Sequence, residues 1–185
     1  MAATLEREIK LRFDSPEAAR AAIIEAGATP VRGRRLQEDC LLDTADDLLR
    51  LRRSALRVRM ESGRSLLTFK GPVQPSAMKL REELETIVGD GTLMLRILEE
   101  LGLHVWFRYQ KYREEFALED VVVAIDETPV GTFVEIEGGE HGIAVFAEAL
   151  GRKPADYVVD SYRSLFVRYC EERGLPPTHM LFDDE

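Results

Sequence analysis

The most constraining feature of this 185-residue chain is a set of short segments in which charged and apolar residues alternate. In the first segment, residues 5–13, Glu6, Glu8 and Lys10 alternate with largely apolar positions. Residues two apart on a β-strand share a face, so these three side chains are predicted to point the same way. At about 3.3 Å rise per residue, the two carboxylates lie roughly 6–7 Å apart, a spacing that suits open solvent or an intervening cation.

The same two-faced pattern recurs in most of the later predicted strands. Their charged faces carry the cations Arg57, Arg59, Lys70, Arg81, Lys111 and Arg113. They also carry the acids Glu83, Glu85, Asp126, Glu135 and Glu137. Helices can pack only on the apolar faces, so the charged faces either meet solvent or face one another inside a closed sheet. Alternation alone leaves both arrangements open, but burying so many charges is costly unless a polyphosphate and a divalent cation use both signs.

Capping residues and hydrophobic spacing predict helices over residues 16–26, 92–101, 141–150 and 161–173. About eight strands accompany them without regular strand–helix alternation, which predicts a mostly antiparallel α+β domain. This domain is expected to cover residues 1–174. Residues 175–185 contain Pro176-Pro177 and end in three acids, so they are predicted to form an extended, loosely held acidic tail.

Composition narrows the classes of protein to consider. The formal net charge of −9 argues against a nucleic-acid-binding protein, which needs a basic surface. No apolar run reaches the roughly 18 residues that span a bilayer, and the N-terminus lacks the apolar core of a signal peptide, so a cytoplasmic protein without a membrane partner is expected. Cys40 and Cys170 form no C-x-x-C pair and are predicted to be buried free thiols.

Taken together, several segments resemble the CYTH superfamily, the triphosphate tunnel metalloenzymes. They are Glu6-x-Glu8-x-Lys10, Leu56-Arg57-Val58-Arg59, Leu67-Thr68-Phe69-Lys70-Gly71-Pro72, Lys111-Tyr112-Arg113, Ile125-Asp126, Phe133-Val134-Glu135-Ile136-Glu137-Gly138 and Ser161-Tyr162, in the family's order. The resemblance runs from residue 5 to about residue 166. It implies an α+β fold built on a closed eight-stranded antiparallel β-barrel, with helices packed outside and the charged faces lining a tunnel.

The resemblance also implies roles for the charged residues. The ligands of a Mg²⁺ or Mn²⁺ cofactor would come from Glu6, Glu8, Glu135 and Glu137. The phosphates would be bound by Lys10, Arg57, Arg59, Lys70, Arg81, Lys111 and Arg113. The catalytic group would comprise Glu6, Glu8, Lys10 and Asp126, the last of which positions a basic neighbour or the metal. Glu83 and Glu85 lie on a strand where the family also carries acids, and a salt bridge within the tunnel is their simplest role.

The leading functional hypothesis is a metal-dependent hydrolase of inorganic tripolyphosphate with some activity on organic triphosphates. Its partner is therefore a small-molecule triphosphate, and a homodimer is compatible with the resemblance although no segment marks an interface. Phosphoryl transfer depends mainly on positioning and charge neutralisation, which the implied tunnel supplies without a nucleophilic side chain.

Three alternatives remain open at this point. A class IV adenylate cyclase would carry a His-Phe pair upstream of Glu6, and residues 1–5 contain none. A thiamine triphosphatase would need an aromatic contact for its cationic ring. Trp106 is predicted to point out of the tunnel because its parity is opposite to that of Lys111, whereas Tyr109 shares the inward face. A non-catalytic phosphate-binding module would need the cations but hardly the acids.

Overall fold

The computed structural model describes residues 4–183, and an eight-stranded antiparallel barrel forms its centre. The strands are β1 (Thr4–Phe13), β2 (Thr29–Thr44), β3 (Ala55–Glu61), β4 (Arg64–Lys70), β5 (Lys79–Val88), β6 (Leu103–Leu118), β7 (Val121–Thr128) and β8 (Gly131–Gly138). They close in the order β1-β5-β4-β3-β2-β6-β7-β8. The predicted α+β class and the implied closed barrel are confirmed, and the charged faces therefore do turn toward one another.

Between residues 4 and 183, five α-helices accompany the barrel. They are α1 (Pro16–Glu25), α2 (Leu48–Leu51), α3 (Gly91–Glu100), α4 (Glu140–Ala149) and α5 (Tyr162–Arg173). Side-chain oxygens of Ser15, Asp90 and Ser161 accept backbone N–H groups at the starts of α1, α3 and α5, which explains why these boundaries are readable in the sequence. None of the helices between residues 4 and 183 is both long and apolar enough to cross a bilayer.

The main hydrophobic core lies outside the barrel, between its apolar wall and the helices α1 and α4. The wall contributes Ile9, Leu11, Val123, Ile125, Val134 and Ile136, all of them buried. The helices contribute Ala19, Ile23, Ile143, Phe146 and Ala147. Alternation along each strand then leaves the intervening charged residues on the inner side. The core therefore forces the charges into the lumen.

A second core cluster occupies one end of the barrel. The lumen-facing side chains of Phe107, Tyr109 and Phe133 pack there with Tyr162 and Phe166 of α5. The ring centroids of Phe133 and Tyr162 are 5.7 Å apart in an edge-on arrangement, and those of Tyr109 and Tyr162 are 6.1 Å apart. This end of the lumen is filled by aromatic rings, and the charged residues occupy the remainder.

The C-terminal tail is exposed over residues 175–179, but the prediction that it is loosely held is wrong at Met180. Met180 is fully buried, its N–H donates to the carbonyl of Arg108, and its carbonyl accepts the N–H of Gln110. The reason is a free strand edge, since β6 begins to pair with β7 only at Tyr112. The tail pairs with the unpaired stretch before that residue. Residues 184–185, which carry two of the three terminal acids, lie outside the described residues.

Candidate active site

The barrel encloses a cavity of about 680 Å³ lined mainly by charged side chains. The predicted phosphate ligands Lys10, Arg57, Arg59, Lys70, Arg81, Lys111 and Arg113 all line it. So do the acids Glu6, Glu8, Glu83, Glu85, Glu135 and Glu137. The structure thus brings together in one space residues that lie up to about 130 positions apart in the chain.

β1 is the strand that joins the two halves of this charged wall. It pairs with β5 on one side, where Glu6 lies opposite Arg81. It pairs with β8 on the other side, where Glu8 lies opposite Glu137 and Lys10 lies opposite Glu135. The Glu6-x-Glu8-x-Lys10 pattern is therefore flanked on both edges by further charges of the cavity.

Glu8 lies between two lysines. The Nζ atoms of Lys10 and Lys79 donate to the same Oε1 of Glu8, at 3.0 and 2.5 Å, and Lys10 Nζ also lies 3.4 Å from Oε2 of Glu135. Burial opposes ionisation of Glu8, but the combined charges of Lys10, Lys79 and Lys70 hold its pKa well below the usual range. Burial and the charge of Lys10 lower the pKa of Lys79 to about 8.

Glu6 is held by two other cations. Lys70 Nζ donates to its Oε1 at 2.6 Å and Arg81 Nε donates to its Oε2 at 3.1 Å. Lys70 Nζ is also 3.1 Å from Oε2 of Glu83, which supports the salt-bridge role expected for that acid. Burial and the neighbouring Glu6 nevertheless raise the pKa of Glu83 above its ordinary value, although Lys70 opposes this.

Asp39 organises the two arginines of the Arg57-x-Arg59 pair, and sequence reasoning missed it. Arg59 donates to both of its carboxylate oxygens, at 2.8 and 3.2 Å, and Arg57 Nε lies 3.4 Å from Oδ1. Burial opposes ionisation of Asp39, but the two guanidiniums lower its pKa to about 2. The residue was detectable in principle, since it alternates with Gln37 on β2, but its neighbours gave no clear charged face.

Asp126 has no exposed surface and does not line the cavity. Its carboxylate accepts Lys111 Nζ at 2.8 Å, Arg113 Nε and Nη2 at 2.6 Å each, and the hydroxyl of Tyr162 at 2.6 Å. Arg113 Nη2 also donates to Glu135 at 2.9 Å. Of the two roles implied for Asp126, this geometry corresponds to positioning basic neighbours. Burial and the adjacent Arg113 lower the pKa of Lys111 to about 8.

The four acids implied as metal ligands differ in their surroundings. Glu6, Glu8 and Glu135 are each paired with lumen cations. Glu137 has no lysine or arginine nitrogen within 4.0 Å in the part of the chain that the structure describes. Burial and the charges of Glu6, Glu135 and Glu8 raise its pKa to about 7. A divalent cation would neutralise this accumulation of negative charge.

The donor set fits Mg²⁺ or Mn²⁺ in chemistry, because both are hard cations that prefer carboxylate oxygens. Within residues 4–183, however, no three His, Cys, Asp or Glu side chains already converge as a metal site. The reason is that lysines and arginines occupy most of the carboxylate oxygens, and Glu8 alone accepts two lysines. Metal binding therefore requires some of these ion pairs to break, so that carboxylate oxygens become free to hold the metal.

The prediction that Trp106 points out of the tunnel is wrong. The register of β2 with β6 shifts between Leu41, which pairs with Phe107, and Leu42, which pairs with Val105. Trp106 is thus the extra residue of a β-bulge, which interrupts the alternation from which the parity was read. Its side chain lines the cavity, and its ring centroid lies 5.9 Å from that of Phe107. Only the pairing with β2 reveals this.

Comparison with known proteins places this geometry in a family. The profile of the CYTH domain matches residues 4–162. A protein of Methanocaldococcus jannaschii named "Putative adenylate cyclase MJ0240" is 31% identical over 134 residues, which cover 72% of this chain and 76% of that protein.

Solved structures share the same barrel. A protein of Vibrio parahaemolyticus described as a putative adenylate cyclase superimposes with a TM-score of 0.78 at 19% identity, over 90% of this chain and 99% of that one. A Hippeastrum protein, described as a putative adenylyl cyclase with a dominant triphosphatase activity, gives a TM-score of 0.64 at 19% identity, over 92% and 97% of the two chains. At this identity the two structures bear on the fold alone. The match of the CYTH domain profile to residues 4–162, most of this chain, shows that the chain belongs to the CYTH domain family.

Proposed function

We propose that this protein is a metal-dependent hydrolase of triphosphates, with inorganic tripolyphosphate as the simplest substrate. The observation that carries the proposal is the lumen itself, in which seven predicted phosphate-binding cations and the carboxylates of Glu6, Glu8, Glu135 and Glu137 line one cavity. A triphosphate with its divalent cation is a ligand that offers negative oxygens to the lysines and arginines and a positive ion to the carboxylates.

The ion pairs of the free protein support this assignment. Burying charges is unfavourable unless they are paired, and here the partners are one another: Lys70 with Glu6, Lys10 and Lys79 with Glu8, and Arg113 with Glu135. A triphosphate can replace the carboxylates around the cations, while a metal replaces the cations around the carboxylates. Charge balance inside the barrel is kept throughout such an exchange.

The residues of the lumen supply what phosphoryl transfer needs from a protein. Lysines and arginines from several strands fix the phosphate oxygens and neutralise charge that develops in the transition state. Asp126 holds Lys111 and Arg113 in place, and Asp39 does the same for Arg57 and Arg59. A divalent cation held by Glu6, Glu8, Glu135 and Glu137 would act as a Lewis acid on the phosphoanhydride.

A second candidate is adenylate cyclase activity. The name of the 31% identical relative from Methanocaldococcus jannaschii favours it. The two reactions share the phosphate site and differ in the nucleophile, which is water in hydrolysis and the ribose 3′-hydroxyl in cyclisation. A non-catalytic binding module is disfavoured by the four acids, since phosphate binding alone would be stronger without them.

One screen separates these functions. Tripolyphosphate, ATP and thiamine triphosphate are each incubated with Mg²⁺ or Mn²⁺, and both phosphate release and cyclic AMP are measured. Phosphate release from tripolyphosphate is expected, with Glu114→Gln as a matched control because Glu114 pairs with Arg20 on the outer surface. Cyclic AMP formation without tripolyphosphate hydrolysis would identify a cyclase instead. Tight binding in calorimetry without turnover under either metal would identify a binding module.

A further inference from the structure

Tyr162 lines the cavity beside the phosphate-binding lysines, although it belongs to a helix and carries no charge. It is the first residue of α5, and its side chain is buried. Ser161 precedes it as the N-cap, and the hydroxyl of Ser161 accepts the N–H of Ser164, which fixes the start of the helix at this point. The helix therefore places this phenol among charged side chains that the strands supply.

The hydroxyl of Tyr162 is tied to the buried carboxylate of Asp126. It donates to Oδ2 at 2.6 Å, and the same oxygen accepts Lys111 Nζ at 2.8 Å. Burial and the negative charge of Asp126 raise the pKa of Tyr162 well above its ordinary value, so the phenol keeps its proton and remains a donor. The tip of the ring is therefore fixed on the oxygen that also holds Lys111.

The ring of Tyr162 lies close to two ammonium groups. Lys10 Nζ is 5.2 Å and Lys111 Nζ is 5.1 Å from the ring centroid. Both distances fall within the roughly 6 Å over which the negative face of an aromatic ring attracts a cation. The two lysines belong to β1 and β6, which β7 and β8 separate in the barrel. The ring therefore joins two predicted phosphate ligands from strands that are not neighbours.

The backbone just before α5 holds Lys10 as well. The N–H of Lys10 donates to the carbonyl of Val158 at 3.0 Å, and the N–H of Val158 donates to the carbonyl of Lys10 at 2.8 Å. These bonds use a part of β1 that β5 leaves free, because the pairing of those two strands ends at Glu8. Tyr162 follows Val158 by four residues, so one short segment fixes both the backbone of Lys10 and the ring beside its ammonium group.

We propose that Tyr162 is a positioning residue for the triphosphate, whose ring holds the ammonium groups of Lys10 and Lys111 where both reach one phosphate chain. A lysine is a point charge on a flexible stem, so its position depends on its surroundings. Glu8 and Asp126 draw the two ammonium groups toward different carboxylates. The ring attracts both, and it stays in place when phosphates displace those acids. The inference rests on the proposed function and adds a residue that orients two of its phosphate ligands.

The expected effect on the reaction is a loss of rate and not of binding. Without the ring, Lys10 and Lys111 keep their charges and still attract a triphosphate, so KM should change little. Their ammonium groups would no longer be fixed where charge develops in the transition state, and a displacement of about 1 Å near the reacting atoms can cost about 100-fold in rate. A decrease confined to kcat is the signature of an interaction made mainly in the transition state.

A series of substitutions that keep the ring tests this directly. Tyr162→Phe removes the hydroxyl, and phenylalanines with one, two or three ring fluorines at the same position progressively weaken the negative face. With tripolyphosphate and Mg²⁺, kcat is expected to fall stepwise to about tenfold below Tyr162→Phe for the trifluorinated ring, while KM changes less than about threefold. A kcat that stays constant along the series would overturn the inference, because the ring would then serve only to fill space.

Tyr169 supplies the matched control on the same helix. Its ring centroid lies 3.8 Å from the guanidinium carbon of Arg173, and it packs against the second core cluster without lining the cavity. The same fluorinated series at position 169 should leave kcat within about twofold of Tyr169→Phe. An equal decline at both positions would mean that fluorinated rings disturb the packing of α5, which would overturn a specific role of Tyr162.

Nuclear magnetic resonance separates this inference from the proposed function. In protein made with isotope-labelled lysine, the ε-methylene signals of Lys10 and Lys111 are compared with that of exposed Lys153. The ring current of Tyr162 is expected to displace the first two signals. Tyr162→Phe should keep this displacement and Tyr162→Leu should abolish it, whereas unchanged signals in Tyr162→Leu would overturn the inference. A wild-type protein that hydrolyses no tripolyphosphate with either metal would refute the proposed function alone, and the lysine signals would still decide whether the ring holds both ammonium groups.

Discussion

Asp126 is the best place to test whether the lumen charges depend on one another, because four hydrogen bonds from three side chains meet on its carboxylate. The partners are Lys111, Arg113 and Tyr162, all at 2.6–2.8 Å. Asp126→Asn keeps the shape of the side chain and removes the charge. Two buried cations then lose their nearest anion, and only Arg113 keeps another acid, Glu135, within reach.

The expected cost follows from this geometry. Removing one partner of a buried ion pair typically destabilises a protein by about 3–5 kcal/mol, because it leaves an uncompensated buried charge. That is a large part of a typical total stability of about 5–15 kcal/mol. The matched control is Asp160→Asn, which breaks an ion pair of 2.8 Å with Arg168 at the surface. Exposed pairs of this kind contribute about 0–1 kcal/mol.

Urea denaturation at pH 7 measures both variants, with circular dichroism as the readout. The pH dependence of the free energy of unfolding gives a second check, because the direction of its change can be predicted. Burial opposes ionisation of Asp126, but the charges of Arg113 and Lys111 together hold its pKa below the ordinary value in the folded protein. Its stabilising effect is therefore present above the unfolded pKa of about 3.9 and is lost as the pH falls through the folded pKa.

The gap in stability between the wild type and Asp126→Asn should accordingly narrow in acid. A loss for Asp126→Asn no greater than that for Asp160→Asn would refute the claim that this carboxylate neutralises the buried cations. A gap that stays constant down to pH 2 would show that shape, and not charge, explains the effect.

Three further predictions concern other parts of the molecule. Glu8→Gln should lower tripolyphosphate turnover at least about 100-fold while calorimetric affinity changes less, whereas equal losses in both would contradict a metal-binding role. The pKa of Glu137 is raised to about 7, so this residue destabilises the folded protein increasingly as the pH rises from about 4.5 through 7. Glu137→Gln should therefore raise the Tm of the metal-free protein at pH 8 and hardly change it at pH 5. The same shift in Tm at both pH values would disprove this. Met180→Ala should cost about 2–5 kcal/mol in urea denaturation, since this side chain is fully buried, and a loss below about 1 kcal/mol would mean that the tail is not part of the core.

Much of the candidate site was predictable because alternation is a local property. Whether a residue faces the lumen depends only on its parity within a strand, and parity placed Glu6, Glu8 and Lys10 together correctly. The same rule applied to β5 would have included Lys79, which shares its face with Arg81 and was overlooked. Helix starts were likewise local, since each depends on a capping residue and its immediate neighbours.

Alternation could not by itself close the barrel, because a solvated open sheet shows the same pattern. It also could not assign partners. Glu6 and Lys70 are separated by 64 positions, and their 2.6 Å contact depends on the registers of three strands. The buried role of Asp39 has the same origin, since Arg59 is its partner only through the pairing of β2 with β3.

What the sequence by itself determined is the charge and apolar character of each strand face, since that information lies within a few consecutive residues. Tertiary structure decided everything that depends on contact between two distant segments. These features are the closure of the barrel, the ion pairs across its lumen and the edge of β6 that Met180 covers. It also decided the position of Trp106. A one-residue shift of β6 against β2 reverses the face of a side chain, and no pattern within β6 records that shift.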